Sequence, residues 1–263
     1  MLKDQLIDFM KSFEKDHDDF RLYVTFDHVL LHVKDFTAVN YSDEQGLRDL
    51  LEYLVRAGWE GLEENGLLVG AKKDDQKVRL GVGGQVQWTY GPFIEMKDVD
   101  QAYLGFIEGL FEELRRRGMT LLATGHQPVS TAADIEVVPT EENNCLMAYA
   151  DGNDALKDAL LCSAKMSISM QYAHVDNFEK RYQAAAIIQP ALAAFFDNTA
   201  WVGGKENDAV LYNINNILTA EPSFYHMEDA VSTHFKYTDF ADFLMDAPAI
   251  AVPQDGHLVP AEG

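Results

Sequence analysis

Between Trp59 and Pro92 the chain reads WEGLEENGLLVGAKKDDQKVRLGVGGQVQWTYGP, short alternating runs broken by Glu64-Asn65-Gly66 and by Lys73-Asp74-Asp75. A period of two marks half-buried strands, and Asn-Gly between two such runs supplies the left-handed residues that a tight hairpin needs. The stretch therefore predicts consecutive antiparallel hairpins. Upstream, RLYVTFDHVLLHV (Arg21 to Val33) is rich in β-branched and aromatic residues and predicts another strand. Its alternation puts His28 and His32 on one face with Val24, Phe26 and Leu30. MTLLATGHQP after Gly118 and AKMSISMQY (Ala164 to Tyr172) predict two more strands.

Helical spacing accounts for much of the remainder. Leu2, Leu6, Phe9, Met10 and Phe13 predict an amphipathic helix over Leu2 to His17. Ser42 with Glu44 and Gln45 opens a second, with Leu47, Leu50, Leu51 and Leu54 as its stripe and Gly58 as its stop. Further helices are predicted over Asp98 to Arg117 and, short, over YTDFADFLMDAP. Asn177 to Asn198 predicts a long, nearly buried helix kinked at Pro190. Val129 to Asp154 reads as irregular, TAWVGGKEND as a glycine-rich loop, and Val252 to Gly263 as a frayed end. With no repeat and no linker, residues 1–263 are expected to form one α+β domain, an antiparallel sheet with helices on one side.

Composition narrows the function. The 263 residues hold 43 acidic against 21 basic side chains, a formal charge of −22. Such a surface repels polyanions and anionic lipid, so nucleic acid and membrane are not expected partners. The charged opening MLKDQLIDFMKSFEKDHDDF lacks the apolar core of a signal peptide. The longest nearly apolar run, Ala184 to Phe196, is short of the ~20 residues that span a bilayer. A cytoplasmic protein is expected, with Cys145 and Cys162 as reduced, inert thiols.

Four blocks in order carry a resemblance: the stretch through Trp59 to Pro92, LRRRGMTLLATGHQP, QAAAIIQPALAAFFDNTAWVGGK and YTDFADFLMDAP. Together they resemble the glutamate–cysteine ligase family of the plant and bacterial type. That resemblance implies a curved antiparallel sheet similar to glutamine synthetase, C-terminally shortened here. It also implies the family's chemistry, in which ATP phosphorylates the side-chain carboxylate of glutamate and the amine of cysteine attacks. The bridging magnesium ions need clustered carboxylate oxygens, and the transferring phosphoryl group needs basic residues.

The positions that the resemblance assigns to this chemistry carry other residues. The G-T-E-x-E motif falls on Val24 to His28, so Phe26 and His28 replace its glutamates. L-E-P-G-G-Q-x-E-x-S falls on Leu80 to Thr89, keeping Gly83, Gly84 and Gln85 but substituting Gly81 and Gln87 for glutamates. Q-V-N-L-D falls on Ser167 to Gln171, giving Ser167, Ser169 and Gln171, and Gln183 stands where the next helix carries arginine. Thr140 and Glu142 replace the basic residues of P-K-x-R-Y. These positions imply a neutral, partly apolar cavity for a small molecule, or a surface for a protein partner, in a catalytically silent relative. Neither cofactor nor metal is expected, and an oligomer is compatible with the sequence. The alternative is an ATP-dependent carboxylate–amine ligase, with Mg²⁺ and ATP, that uses substitutes such as Asp27, Glu63 and Glu64 or residues from a partner. A metal site at His28 and His32, with Asp27 or His174, is disfavoured because four residues of strand separate the imidazoles by about 13 Å.

Overall fold

A computed structural model describes residues 2–15, 21–220 and 235–261. Its central strand, β1 (Leu22–His32), pairs along one edge with β5 (Val86–Phe93). Along the other edge two strands lie end to end: β7 (Met166–Met170) pairs residues 22–26 and β6 (Met119–Leu122) pairs residues 29–32. β2 (Glu60–Glu64), β3 (Leu67–Lys73) and β4 (Gln76–Leu80) extend the sheet beyond β5 in the order β2-β3-β4-β5-β1. Every pairing is antiparallel. The β2–β3 turn is Asn65-Gly66, both left-handed with φ of 51° and 78°, as the Asn-Gly signal requires.

One sheet face forms the main core. Val24, Leu30, Val78, Leu80, Val86 and Trp88 meet Leu47, Leu50, Leu51 and Leu54 of α2 (Leu47–Arg56) and Val99, Phe106, Leu110 and Leu114 of α3 (Met96–Arg117). The leucine stripe of α2 is the one its spacing predicts. α3 stops at Gly118, left-handed at φ 65°, a backbone position that glycine takes without the steric cost of a Cβ.

Several expectations are corrected. α1 ends at Lys11, not His17, and residues 16–20 lie outside the described part. Its buried stripe is Leu6, Ile7 and Met10, packed on α8 (Tyr237–Asp246), so Leu2, Phe9 and Phe13 point outward. The segment expected to be irregular contains a 3₁₀ turn (Ala132–Asp134) and α4 (Glu141–Tyr149), and α5 (Asp154–Cys162) follows directly. Apolar periodicity misses α4 because it buries Asn143 and Cys145. The caps carry the signal instead: Thr140 accepts from Asn143 N–H, and Asn153 from Leu156 N–H.

α6 (Val175–Phe196) was expected to be nearly buried, yet only Ala186 is. Val175, Phe178 and Tyr182 pack near Tyr237 and Phe240 of α8, while Ile187, Ile188 and Phe196 are exposed and Phe195 is 83% exposed. The expected frayed end is a hairpin, β10 (Ala251–Gln254) and β11 (His257–Pro260), turning at Asp255-Gly256. It docks on Glu141 at the start of α4, which accepts from Leu258 N–H at 2.8 Å and His257 Nδ1 at 2.6 Å. Those bonds, with one from Asn65, hold the Glu141 carboxyl down at about 2. The glycine-rich loop folds as a small hairpin, β8 (Trp201–Val202) with β9 (Lys205–Glu206), followed by α7 (Tyr212–Ala220). Among the described residues no helix is long and apolar enough to cross a membrane.

Candidate functional site

The sheet face turned away from α2 and α3 is polar, and register defines it. Glu60, Lys72, Lys77, Thr89, Thr25 and Ser167 stand directly opposite one another in turn across β2, β3, β4, β5, β1 and β7. Two residues along each strand, the next row is Leu62, Gly70, Arg79, Gln87 and Asp27. Directly opposed residues share a face. The Thr25 and Thr89 hydroxyls accordingly meet at 2.8 Å. Beyond them Ser169 opposes Tyr23, whose hydroxyl accepts from Gln171 Nε2 at 3.2 Å.

This parity corrects the site expected from sequence. Gln87, Ser167, Ser169 and Gln171 do share the polar face, but Phe26 and His28 lie on the opposite one. Phe26 stacks on Trp88 at 6.0 Å within the main core. His28 is buried, with Nδ1 3.2 Å from the Val86 carbonyl and Nε2 2.7 Å from the Tyr103 hydroxyl of α3. With both ring nitrogens occupied and burial pulling its imidazolium form below the ordinary range, it is a satisfied core histidine and not a metal ligand. Moving the G-T-E-x-E motif back by one residue brings its glutamates onto Thr25 and Asp27, the same face as Gln87. A slip of one reverses every facing on a strand.

Gln85 and Gly81 are structural. In the β4–β5 loop the Gln85 amide donates to the carbonyls of Leu160, Leu161 and Ser163 and accepts from Gly83 N–H. The same amide fills the space of any side chain at 81, since a Cβ there would stand 2.4 Å from Gln85 Oε1. Gln183 on α6 donates to the Phe235 carbonyl, tying the helix to the start of α8.

Asp27 is the carboxylate at the middle of the polar face. It is 8% exposed, and its Oδ1 has no hydrogen-bond partner among the described residues. Burial raises its pKa above the ordinary 3.8, against the opposing pull of Lys165 and a hydrogen bond from Gln87. A group whose folded-state pKa is raised loses stability as pH climbs through the interval above its unfolded value, and the deficit persists at neutral pH. Asp27→Asn is therefore expected to raise the neutral-pH melting temperature and to leave it unchanged below the unfolded-state pKa. Thermal melts from acid to neutral pH check this.

Cations dominate the rest of the face. Lys77 and Arg79 form no ion pair among the described residues, while Lys72 is bridged to Glu60 at 3.1 Å. Partial burial, then the charges of Arg79 and Lys72, pull the Lys77 ammonium below the lysine range. Lys165 adds a further positive charge beside Asp27. The face is thus an anion-attracting surface within a chain of charge −22, not the neutral cavity that the substitutions imply. Sequence reading misses Lys77, Arg79 and Lys165, although the alternation of β4 puts Lys77 and Arg79 on one face.

The proposed substitutes for the missing glutamates do not join Asp27. Glu63 and Glu64 lie on β2, separated from β1 by three intervening strands. Glu64 accepts from Glu141 N–H, and Glu63 lines a groove beside α2 with Arg48 and Glu52. Among the described residues no set of three or more metal-binding donors lies on the sheet. Bridging magnesium ions need several carboxylate oxygens, so the donor set of this face does not fit Mg²⁺–ATP.

No family model matches the chain. Among curated proteins it is similar to the chloroplastic glutamate–cysteine ligase of Medicago truncatula, 21% identical over 254 residues, 94% of this chain and 49% of that protein. The chloroplastic glutamate–cysteine ligases of Brassica juncea and Arabidopsis thaliana are each 20% identical, covering 100% and 94% of this chain. The chain is therefore glutamate–cysteine ligase-like along almost all of its length. It spans about half the length of the curated relatives it matches.

Proposed function

We propose that this glutamate–cysteine ligase-like chain is catalytically silent as a magnesium–ATP ligase and binds a small amino-acid-type molecule on its polar sheet face. One observation carries the reading: Asp27 is a buried, half-unpartnered carboxylate, four strands from the ion-paired Glu60, on a face that also holds Lys77, Arg79 and the hydroxyl or amide side chains of Thr25, Thr89 and Gln87. A ligand carboxylate complements the unpaired Lys77 and Arg79, and a ligand N–H satisfies Asp27 Oδ1. One carboxylate cannot bridge metal ions across three phosphates, which supports silence. Asp27 also favours the second reading, an ATP-dependent carboxylate–amine ligase completed by residues of a partner.

Calorimetric titration of the chain with glutamate, with and without Mg²⁺–ATP, tests the binding role, and phosphate release followed in parallel tests whether this chain by itself acts as a ligase. Saturable heat with glutamate and no glutamate-dependent phosphate is the expected result, and Arg79→Ala should weaken binding at least tenfold. Glutamate-dependent phosphate release establishes the ligase. No heat with glutamate or other small amino acids removes the binding role.

A further inference from the structure

A second cluster lies off the polar face. His126 follows β6, while Asp158 and Cys162 stand four apart on α5 and so share one side of that helix. One donor atom from each of the three lies within 4.8 Å of the others. His126 and Cys162 are buried, and the Asp158 side chain is 25% exposed, so the cluster opens to solvent on one side only.

The histidine's environment selects among the uses of such a trio. Its Nδ1 lies 3.0 Å from the Gln127 carbonyl and its Nε2 lies 3.1 Å from Asp158 Oδ2. Both neighbours are acceptors, and a neutral imidazole has one N–H. If Nδ1–H donates to the carbonyl, Nε2 faces a carboxylate oxygen, and either a proton, as in an imidazolium–carboxylate pair, or a metal ion stands between them. A carbonyl fixing the far nitrogen is also how metal-bound histidines are oriented.

We infer that His126, Asp158 and Cys162 form a zinc site, with three protein ligands and one position open on the Asp158 side. The donor set of one imidazole, one carboxylate and one thiolate suits Zn²⁺ better than Mg²⁺ or Ca²⁺, which take oxygen ligands. Tetrahedral bonds of about 2.0–2.3 Å place donors about 3.5 Å apart, so side-chain rotations of modest size close the cluster. Entry of Zn²⁺ displaces the thiol proton and the proton shared by His126 and Asp158. The net charge of the cluster is then unchanged. Tyr212, the first residue of α7, packs its ring edge-on to His126 at 5.4 Å and hydrogen-bonds Asp158, orienting two of the ligands.

The test is titration of the full, reduced, chelator-treated chain with Co²⁺. We expect a thiolate-to-cobalt charge-transfer band and intense tetrahedral d–d bands that saturate at one ion per chain and vanish when Zn²⁺ is added. The bands should persist in Cys145→Ser and be lost in Cys162→Ser and His126→Gln, with near-ultraviolet circular dichroism reporting that each variant is folded. X-ray absorption on the zinc-loaded wild-type chain gives a readout independent of any variant. One sulfur among nitrogen and oxygen neighbours is expected. Absence of the bands, their survival in folded Cys162→Ser, or a zinc shell without sulfur each overturns the site, leaving a hydrogen-bonded network in which Asp158 simply accepts from its neighbours.

Discussion

Replacing Trp88 with Ala is expected to cost about 3–5 kcal/mol of folding stability, the range for deleting a buried large aromatic side chain. Trp88 is 0% exposed and central to the aromatic layer beneath α3. It stacks on Phe26 at 6.0 Å, Tyr90 at 5.9 Å and Phe106 at 5.8 Å, and meets Tyr103 edge-on at 5.4 Å. Its Nε1 donates to Gln76 Oε1 at 2.9 Å, so the polar end of the indole is satisfied as well. In a chain of this size that loss lowers Tm by roughly 10 °C, and urea unfolding followed by far-ultraviolet circular dichroism gives the free energy. Trp88→Phe should lose less than half as much, because it keeps a ring between α3 and the sheet. The measurement also tests the polar face. Trp88 stands opposite Phe26, and Gln87 opposite Asp27, so one parity decides both faces. A cost below about 1 kcal/mol for Trp88→Ala would mean that the sheet packs the other way and that Asp27 is not where the ligand binds.

What could be read from residues alone follows from which physical signals are local. The hairpins between Trp59 and Pro92 are legible because Asn65-Gly66 specifies a turn and alternation specifies strands, both within a few residues. The leucine stripe of α2 and the Gly118 stop of α3 are legible for the same reason. Burial is not local. Ala184 to Phe196 is apolar enough to be a core helix, yet whether it is buried depends on what packs over it, and in α6 only Ala186 is covered. The polar sheet face shows the limit most clearly. On β5 Gln87 lies on the polar face, two residues beyond the Gly83-Gly84-Gln85 run that sets the motif's register there. On β1 no comparable run sets the register, and a shift of one residue decides whether the motif meets Phe26 and His28 in the core or Thr25 and Asp27 on the polar face. The cations Lys72, Lys77 and Arg79 come together across two neighbouring strands, and their charges add up only once the strands are paired. His126, thirty-two residues from Asp158, is brought to α5 by the fold alone.

The persistence of Gly83-Gly84-Gln85 beside so many altered positions has a mechanical explanation, which a second large effect can test. The last turn of α5 leaves the carbonyls of residues 159–162 without helical partners. Each is satisfied from outside: Ala159 by the Ser163 hydroxyl, Leu160 and Leu161 by Gln85 Nε2, and Cys162 by Gln127 N–H. Gln85 thus closes the end of α5 from another element, at 2.9 Å to Leu161, and its own oxygen takes Gly83 N–H at 3.1 Å. The loop can approach so closely because Gly83 has no side chain, and a Cβ there would lie 2.1 Å from the Leu161 carbonyl oxygen. Gln85→Leu keeps the volume but leaves buried carbonyls and an amide unpaired, at about 1–3 kcal/mol for each group that water cannot reach, so a loss of about 3 kcal/mol is expected. Gln85→Glu should be worse at neutral pH, since a carboxylate would face two or three carbonyl oxygens. Those oxygens would raise its folded-state pKa, so its stability should be partly restored in acid, where the protonated group donates one hydrogen bond. Equal costs for Leu and Glu at every pH would show that the amide is not bonded to α5. The retained motif would then have to be explained by a ligand and not by the helix end it closes.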